Sequence, residues 1–281
     1  MIKRLKELLT DKVPQLYKNP EYGTTLVIYD IEVSYIVSAT WDVYDTNVVK
    51  ILREPFIIGI GWKFLGGKET FYKDITDFPL YKRDRFSDQA LVEYFKDNVL
   101  EQAEIFIGHN SNAFDWKWIM GRLATHGIEP PSQKRHIDTC RVSKNNFKFP
   151  YHSLKYLAEK FNLPRKIQND GIELWVDCIE KNIPERWQEM EDYCKGDVIA
   201  TEALYLRIRP FIKNHPNMAM ILADMTIENG TFRNCKQCGN TEMVKSGIEY
   251  TNTTSWQTYR CYNCGARPRG EKVDRPKPFF K

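Results

Sequence analysis

Residues 24–31 (TTLVIYDI) form an apolar, β-branched run that closes on acid, with Asp30 and Glu32 two positions apart. A run of this kind reads as a buried strand. Side chains at i and i+2 of a strand point to one face, so both carboxylates occupy the same side of a sheet end. Placed there they repel one another unless a cation lies between them, and magnesium or manganese suits hard oxygen donors. Alone, the pair is weak evidence, because solvated acids are common at strand ends.

Further elements follow in an order that restricts the fold. Residues 55–64 (PFIIGIGWKF) read as a second strand, 69–72 as a short edge strand, and 104–108 (EIFIG) as a compact buried one. Ser87 reads as the N-cap of a helix through Leu91, Phe95 and Val99. Helical spacing resumes from Asp115 through Trp118, Ile119 and Leu123, and residues 135–138 form a last short strand. Beyond them, Ser153 caps a helix carrying Leu154, Leu157, Ala158 and Phe161. Pro184 opens a long one that Pro210 stops. Strands interleaved with helices and then a helical run imply an α/β sheet with helices on its faces.

Two more acids fall where that sheet needs them. Asp115 follows a strand and a loop (EIFIGHNSNAF), which places it at the same sheet edge; a plain helix N-cap is the alternative. Asp197 stands four residues after Tyr193 on the long helix, so the phenol and the carboxylate share a face. The bland alternative is a surface acid beside a core tyrosine. Asp138 reads as the cap of the following turn, with a place near substrate as the alternative. Trp41, Tyr44, Trp116 and Trp118 could stack on bases, although core packing is the better reading for most of them.

Four cysteines form two spaced pairs, Cys235-x-x-Cys238 and Cys261-x-x-Cys264, each followed by glycine (Gly239, Gly265). Glycine lets a loop turn tightly around a metal. Joined by β-prone residues, two such knuckles look like a zinc ribbon, in which four thiolates close a structural tetrahedral site. Cys140, Cys178 and Cys194 are scattered singly and read as ordinary buried thiols. Of the 281 residues, those from Thr231 onward contain ten Lys/Arg and four Asp/Glu, a charge of +6; the remainder, with 31 and 33, carries −2, giving the net +4. Such a basic appendage suits an anion, most plausibly nucleic acid. Arg260, Arg267, Arg269, Lys272, Arg275 and Lys277 would present the charge, with Trp256, Tyr259 and Tyr262 between them; protein docking is the competing reading.

A 42% hydrophobic and 28% charged composition favours a packed chain over disorder. No apolar run is long enough to span a bilayer. The N-terminus, MIKRLKELLTDKV, lacks the apolar centre of a signal peptide, and its Leu5, Leu8, Leu9 and Val13 read as a short docking helix. The expected location is therefore the cytoplasm, of a host cell if the gene is a phage's.

Taken together, the acidic segments carry a resemblance. VIYDIEV holds a D-x-E, HNSNAFD an N-x-x-x-F-D at Asn110, Phe114 and Asp115, and YCKGD a Y-x-x-x-D at Tyr193 and Asp197. In order and spacing these resemble the three motifs of the DEDD exonuclease superfamily, tyrosine (DEDDy) branch, found in proofreading domains of DNA polymerases and in stand-alone phage relatives. The resemblance spans residues 20–210. It implies a ribonuclease H-like fold with a mixed five-stranded sheet, and 3′–5′ hydrolysis to nucleoside 5′-monophosphates by two magnesium or manganese ions. It also implies that Asp30 bridges both metals, that Glu32 and Asp197 hold the one carrying the attacking water, that Asp115 reaches the other, and that Tyr193 orients the nucleophile. Asn110 and Phe114 would line the site, and His109 would not be the base. The expected organisation is a helical extension at 1–22, the exonuclease domain at 23–214, and one zinc in a ribbon with a basic tail at 231–281. Nucleic acid is the expected partner, DNA over RNA, with a replication or repair protein possible. The alternatives are a ribonuclease H-like endonuclease or RNase, or a non-catalytic zinc-ribbon binding protein.

Overall fold

The acidic strand lies at the centre of a five-stranded mixed sheet. In the computed structural model, which describes residues 26–44, 46–164, 169–216, 218, 227–228, 231–232 and 234–273, β1 (Leu26–Val33) is flanked by β4 (Ile57–Phe64) and β6 (Ile105–Gly108). Edge positions belong to β5 (Phe71–Asp74) and β7 (Arg135–Asp138), giving the order β5-β4-β1-β6-β7. β1 runs antiparallel to β4 and parallel to β6, and β7 continues the parallel half. This is the mixed sheet expected from the sequence. β2 (Val37–Ala39) and β3 (Lys50–Arg53) form a separate hairpin-like pair in the β1–β4 connection.

Burial follows strand alternation. Tyr29 and Ile31 face Trp62 and Ile60 across the β1–β4 ladder. These side chains join one core with Leu91 and Phe95 of α1 (Gln89–Phe95) and Ile119 and Leu123 of α2 (Asp115–Thr125). The opposite parity of β1 carries Asp30 and Glu32, across from Gly61 and Gly59. α3 (Thr139–Asn146) follows β7 directly; α4 (Leu154–Lys160), α5 (Ile172–Val176) and α6 (Pro184–Ile208) complete the helices. Ser153 accepts the Tyr156 N–H as the cap of α4, as its place in the sequence predicts.

One expected cap is rearranged. Asp88, next to Ser87, occupies the N-cap position of α1 without capping it through its side chain. Its fully buried carboxylate instead accepts from Ile57 N at 2.8 Å and from Arg122 Nε and Nη2 at 2.7 and 2.8 Å, with His126 Nε2 2.6 Å away. A buried charge needs such partners, so this acid ties α1, β4 and α2 together. Ser87 Oγ accepts only a long 3.4 Å bond from Gln89 N.

The chain divides into two compact units at Leu204/Tyr205. In the second, β10 (Met243–Tyr250), β11 (Ser255–Cys261) and β12 (Arg269–Val273) make an antiparallel three-stranded sheet, and β8 (Ile227–Glu228) pairs with β9 (Thr231–Phe232). Residues 1–22, with the expected docking helix, lie outside the described residues, as do Arg275 and Lys277. Among those described, no helix is long and apolar enough to cross a membrane.

Candidate active site

A glycine of β4 explains how a helix reaches the acidic face of the sheet. A Cβ at Gly61 would stand 2.8 Å from the Cys194 sulfur and 3.2 Å from Val198 Cγ2, and one at Gly59 would collide with the Tyr72 ring. The bare backbone of Gly61 lets α6 lie against the sheet beside Asp30, with the Cys194 thiol 3.7 Å from the Asp30 carbonyl oxygen, while that of Gly59 makes room for the Tyr72 ring. Asp197, one turn from Tyr193 on the same helix, is buried. The carboxylate oxygens of Asp30 and Glu32 and the Cys194 sulfur fit within 4.8 Å of one another.

Asp115 arrives from the other flank. It is the first residue of α2, and the capping position belongs to Phe114. Its Oδ1 accepts the Ile31 N–H at 3.2 Å, between Asp30 and Glu32 in sequence. Burial pushes the Asp115 carboxyl up to about 7, against the pull of N–H donors from its own backbone and Ile31, and the charges of Asp138 and Asp197 add to the rise. The structure thus brings Asp30, Glu32, Asp115 and Asp197 into one electrostatic neighbourhood. The buried Tyr193 ring meets Trp175 edge-on at 6.0 Å.

The loop before Asp115 is fixed through its backbone. Asn110 adopts a left-handed φ of 63°, a conformation that asparagine tolerates better than most residues. Its carbonyl accepts from Ala113 N and Phe114 N, both at 3.1 Å. Asp138 accepts from Asn110 N at 3.0 Å, Asn112 N at 3.2 Å and Arg141 N at 3.1 Å. It therefore caps α3 and clamps the Asp115 loop at once. Asn110 itself is exposed and Phe114 half-exposed against Trp118. His109 Nδ1 lies 2.9 Å from Thr139 Oγ1. Trp116 and Trp118 pack on the core as expected. Trp41 and Tyr44 do not: at 86% and 94% exposure they stand in solvent beyond β2, because the β2–β3 pair has no sheet to bury them.

This donor set fits a hard divalent cation. Asp30 and Glu32 lie close enough to share one ion, while Asp115 and Asp197 stand outside that 4.8 Å group, and the like charge of neighbouring carboxylates is what a cation would relieve. Cys194 is the exception within it. Burial first, then the charges of Glu32, Asp30 and Asp197, hold its thiol far above the usual range, so it stays a neutral, weak donor beside the oxygens. Neither Cys194 nor the two glycines stood out in the sequence; the signal was there in G-x-G on β4, at the spacing of D-x-E on β1.

In the second unit, Cys235, Cys238, Cys261 and Cys264 are all buried and gather within 4.8 Å. Sulfur separations of 3.6 Å (Cys235–Cys264) and 3.5 Å (Cys238–Cys261) are far too long for a disulfide. They approach the roughly 3.8 Å expected between tetrahedral thiolates about 2.3 Å from zinc. The two knuckles repeat one geometry. Gly239 N donates to Cys235 O and Gly265 N to Cys261 O, with φ of 74° and 72°. Cys235 N and Cys261 N donate in turn to Asn240 O and Ala266 O. Gln237 Nε2 to Ile212 O (2.9 Å) and Met218 N to Lys236 O (2.7 Å) anchor the first knuckle. Arg260 and Arg267 are exposed, whereas Arg269 is engaged by Glu249 through two hydrogen bonds.

The catalytic subunit of DNA polymerase epsilon from Dictyostelium discoideum is 21% identical over 237 residues, 74% of this chain and 10% of that protein. Its Schizosaccharomyces pombe counterpart is 22% identical over 255 residues, 81% of this chain and 11% of that protein. The chain thus spans about a tenth of the length of these relatives. The family B DNA polymerase of the archaeon Pyrobaculum calidifontis aligns over 66% of this chain and 25% of its own, at a TM-score of 0.49 and 17% identity. A family model described as RNase_H superfamily matches residues 55–209, more than half of the chain, and the chain therefore belongs to the ribonuclease H superfamily.

Proposed function

We propose that this nuclease-family chain is a metal-dependent 3′–5′ exonuclease that hydrolyses nucleic acid, DNA in preference to RNA, to nucleoside 5′-monophosphates. The observation that carries the reading is the convergence of Asp30, Glu32, Asp115 and Asp197, from one strand and two helices, beside Tyr193. Those four carboxylates would hold two magnesium or manganese ions, which when bound lower the pKa of a water and neutralise the leaving 3′ oxygen. The chain's own residues supply position and charge. The Ile31 N–H fixes the Asp115 carboxylate. Trp175 fixes the Tyr193 ring, whose hydroxyl orients the attacking water. The Gly61 gap seats Cys194 and Val198 on the turn that carries Asp197, and the protonated Cys194 leaves coordination to oxygen. The polymerase names of the relatives support DNA as substrate and a replication or repair partner.

The four clustered cysteines would hold one structural zinc, with Arg260 and Arg267 offering the ribbon's free charge to phosphates. Asn110 and Phe114 would border the substrate, Asn110 through the shape of its turn. In domain terms, residues 23–214 form the exonuclease and 231–281 the ribbon with its tail.

The test uses 5′-labelled single-stranded DNA and RNA with magnesium or manganese. Stepwise shortening from the 3′ end is expected, faster on DNA, and absent in Asp30→Ala and Asp197→Ala. Rapid cutting of a closed circle, or equal activity in the wild type and both variants, overturns the reading.

A further inference from the structure

Two cross-strand rows run over the acidic face of the sheet. β1 pairs with β4 and β4 with β5, so Asp30, Gly61 and Tyr72 stand side by side, and so do Glu32, Gly59 and Asp74. Directly paired residues share a sheet face, which puts Tyr72 and Asp74 on the same side as the acids. The glycine in the middle of each row leaves a gap. Over Gly61 the gap is filled from outside the sheet, by Cys194 and Val198 of α6. Over Gly59 it is filled from within the sheet, by the Tyr72 hydroxyl: a Cβ at Gly59 would lie 2.2 Å from Tyr72 Oη and 2.8 Å from Cζ.

This arrangement brings the hydroxyl to Glu32. Cβ positions of directly paired residues lie about 4.5–5.5 Å apart, and Tyr72 Oη stands almost where the Cβ of the residue paired with Glu32 would be. That separation is within reach of a glutamate carboxylate. Tyr72 is 9% and Glu32 6% exposed. Among the described residues Tyr72 Oη has no hydrogen-bond partner. A hydroxyl buried without a partner is costly and uncommon, and phenylalanine would fill the same ring volume without it. Folding therefore gives no reason for the oxygen. Burial first, then neighbouring Asp74, Cys194 and Glu32, push the Tyr72 pKa well above the usual tyrosine value, so the group is a donor and not a base. Asp74 turns to Thr76, whose N–H and hydroxyl both donate to its Oδ1, at 2.7 and 2.6 Å. The Cys194 thiol turns to the Asp30 carbonyl. Glu32 is the neighbour that belongs to the acidic site.

We infer that Tyr72 is a positioning residue of the acidic site: its hydroxyl donates to the Glu32 carboxylate, directly or through one water, and orients that carboxylate toward a divalent cation. A carboxylate that holds a metal has lone pairs to spare, and a donor behind it fixes its orientation. The Ile31 N–H does the same for Asp115. This inference rests on reading Glu32 as a metal ligand. It gives the edge strand β5, which in sequence is only a short apolar stretch, a part in building the site.

The experiment titrates manganese into the full chain, its ribbon loaded with zinc, and follows the electron paramagnetic resonance signal of the free ion. Melting without manganese is measured alongside. Losing a partner that orients a metal ligand costs about 10–100-fold in affinity, so Tyr72→Phe is expected to weaken manganese binding about tenfold. Its Tm without manganese should stay the same or rise, because the buried hydroxyl is gone. In a Glu32→Ala background, with manganese raised to reach the weakened site, the same change should alter affinity by less than about twofold, since the hydroxyl acts through that carboxylate. Unchanged affinity in Tyr72→Phe overturns the inference, as does a tenfold loss that persists in Glu32→Ala. So does a lowered Tm without manganese, which would make the hydroxyl a structural group. Failure of the metal reading looks different: the wild type then has no manganese site that Asp30→Asn removes, and the inference falls with it. A site that Asp30→Asn removes but Tyr72→Phe leaves untouched refutes the role of Tyr72 and keeps the metal reading.

Discussion

Gly61→Ala probes the geometry of the acidic face with one methyl group. The added Cβ meets the Cys194 sulfur at 2.8 Å and Val198 Cγ2 at 3.2 Å, with the Cys194 carbonyl oxygen at 3.5 Å. The sulfur must retreat by about half an ångström or more to reach ordinary contact, and Cys194 is fully buried in an interior that packs closely. Over-packing of this kind costs about 1–3 kcal/mol. For a unit of this size each kilocalorie lowers Tm by about 2–4 °C, so the variant folds but melts earlier by roughly 2–12 °C. The same shift moves Asp197, three residues from Cys194, relative to Asp30. A misplacement near 1 Å costs about a hundredfold in rate, so kcat should fall more than stability suggests. Adding Cys194→Ala removes the clashing sulfur, and the double variant should recover most of both losses. Differential scanning calorimetry and oligonucleotide hydrolysis on the four members of this cycle give the coupling. Additive losses, or a Gly61→Ala protein as stable and active as the wild type, would refute the packing of α6 on β4.

Three further outcomes follow from buried groups. Asp88→Asn leaves Arg122 in a buried site without its charge partner and should cost about 3–5 kcal/mol in urea unfolding; a loss under 1 kcal/mol would show that the pair is dispensable. Burial holds His136 and His215 neutral, lowering each to about 4. An unfolded chain protonates them near 6.5, so it binds more protons below that pH and stability falls as pH drops from about 6.5 toward 4. His136→Gln should remove one proton from that slope, and an unchanged slope contradicts the assignment. Metal analysis should find one zinc per chain, lost in Cys261→Ser, with faster amide exchange in residues 235–264 and unchanged exchange in β1, β4 and β6. Equal exchange in both proteins would mean that the thiols need no metal.

Much of this organisation was legible in the sequence, because it lies in residues whose roles are local. Apolar runs marked β4 and β6, Ser153 and Pro184 marked helix starts, and glycine after each C-x-x-C marked the knuckles. Other features depend on partners distant in sequence. α3 (TCRVSKNN) has no apolar stripe and exists because Asp138 caps it. Asp88 failed to cap α1 because Arg122, His126 and Ile57 compete for its carboxylate. Trp41 and Tyr44 look like core residues by type, yet the short β2–β3 pair gives them nothing to pack on. The single turns of wider helix at Lys96–Leu100 and Asp177–Lys181 continue α1 and α5 with no signal that spacing could show. In the site, spacing located each acid, but only the fold revealed that Ile31 N holds Asp115 and that Gly61 admits α6.

The most direct test is whether the four acids act as one unit. Asp30→Asn and Asp197→Asn, alone and combined, are compared by single-turnover shortening of 5′-labelled DNA with manganese. Members of one catalytic constellation are strongly non-additive. Each single variant should lose nearly all activity, about a thousandfold or more, and the double variant should be no worse than either. Full activity in one single variant, or losses that multiply in the double, would contradict a shared metal site at the end of β1.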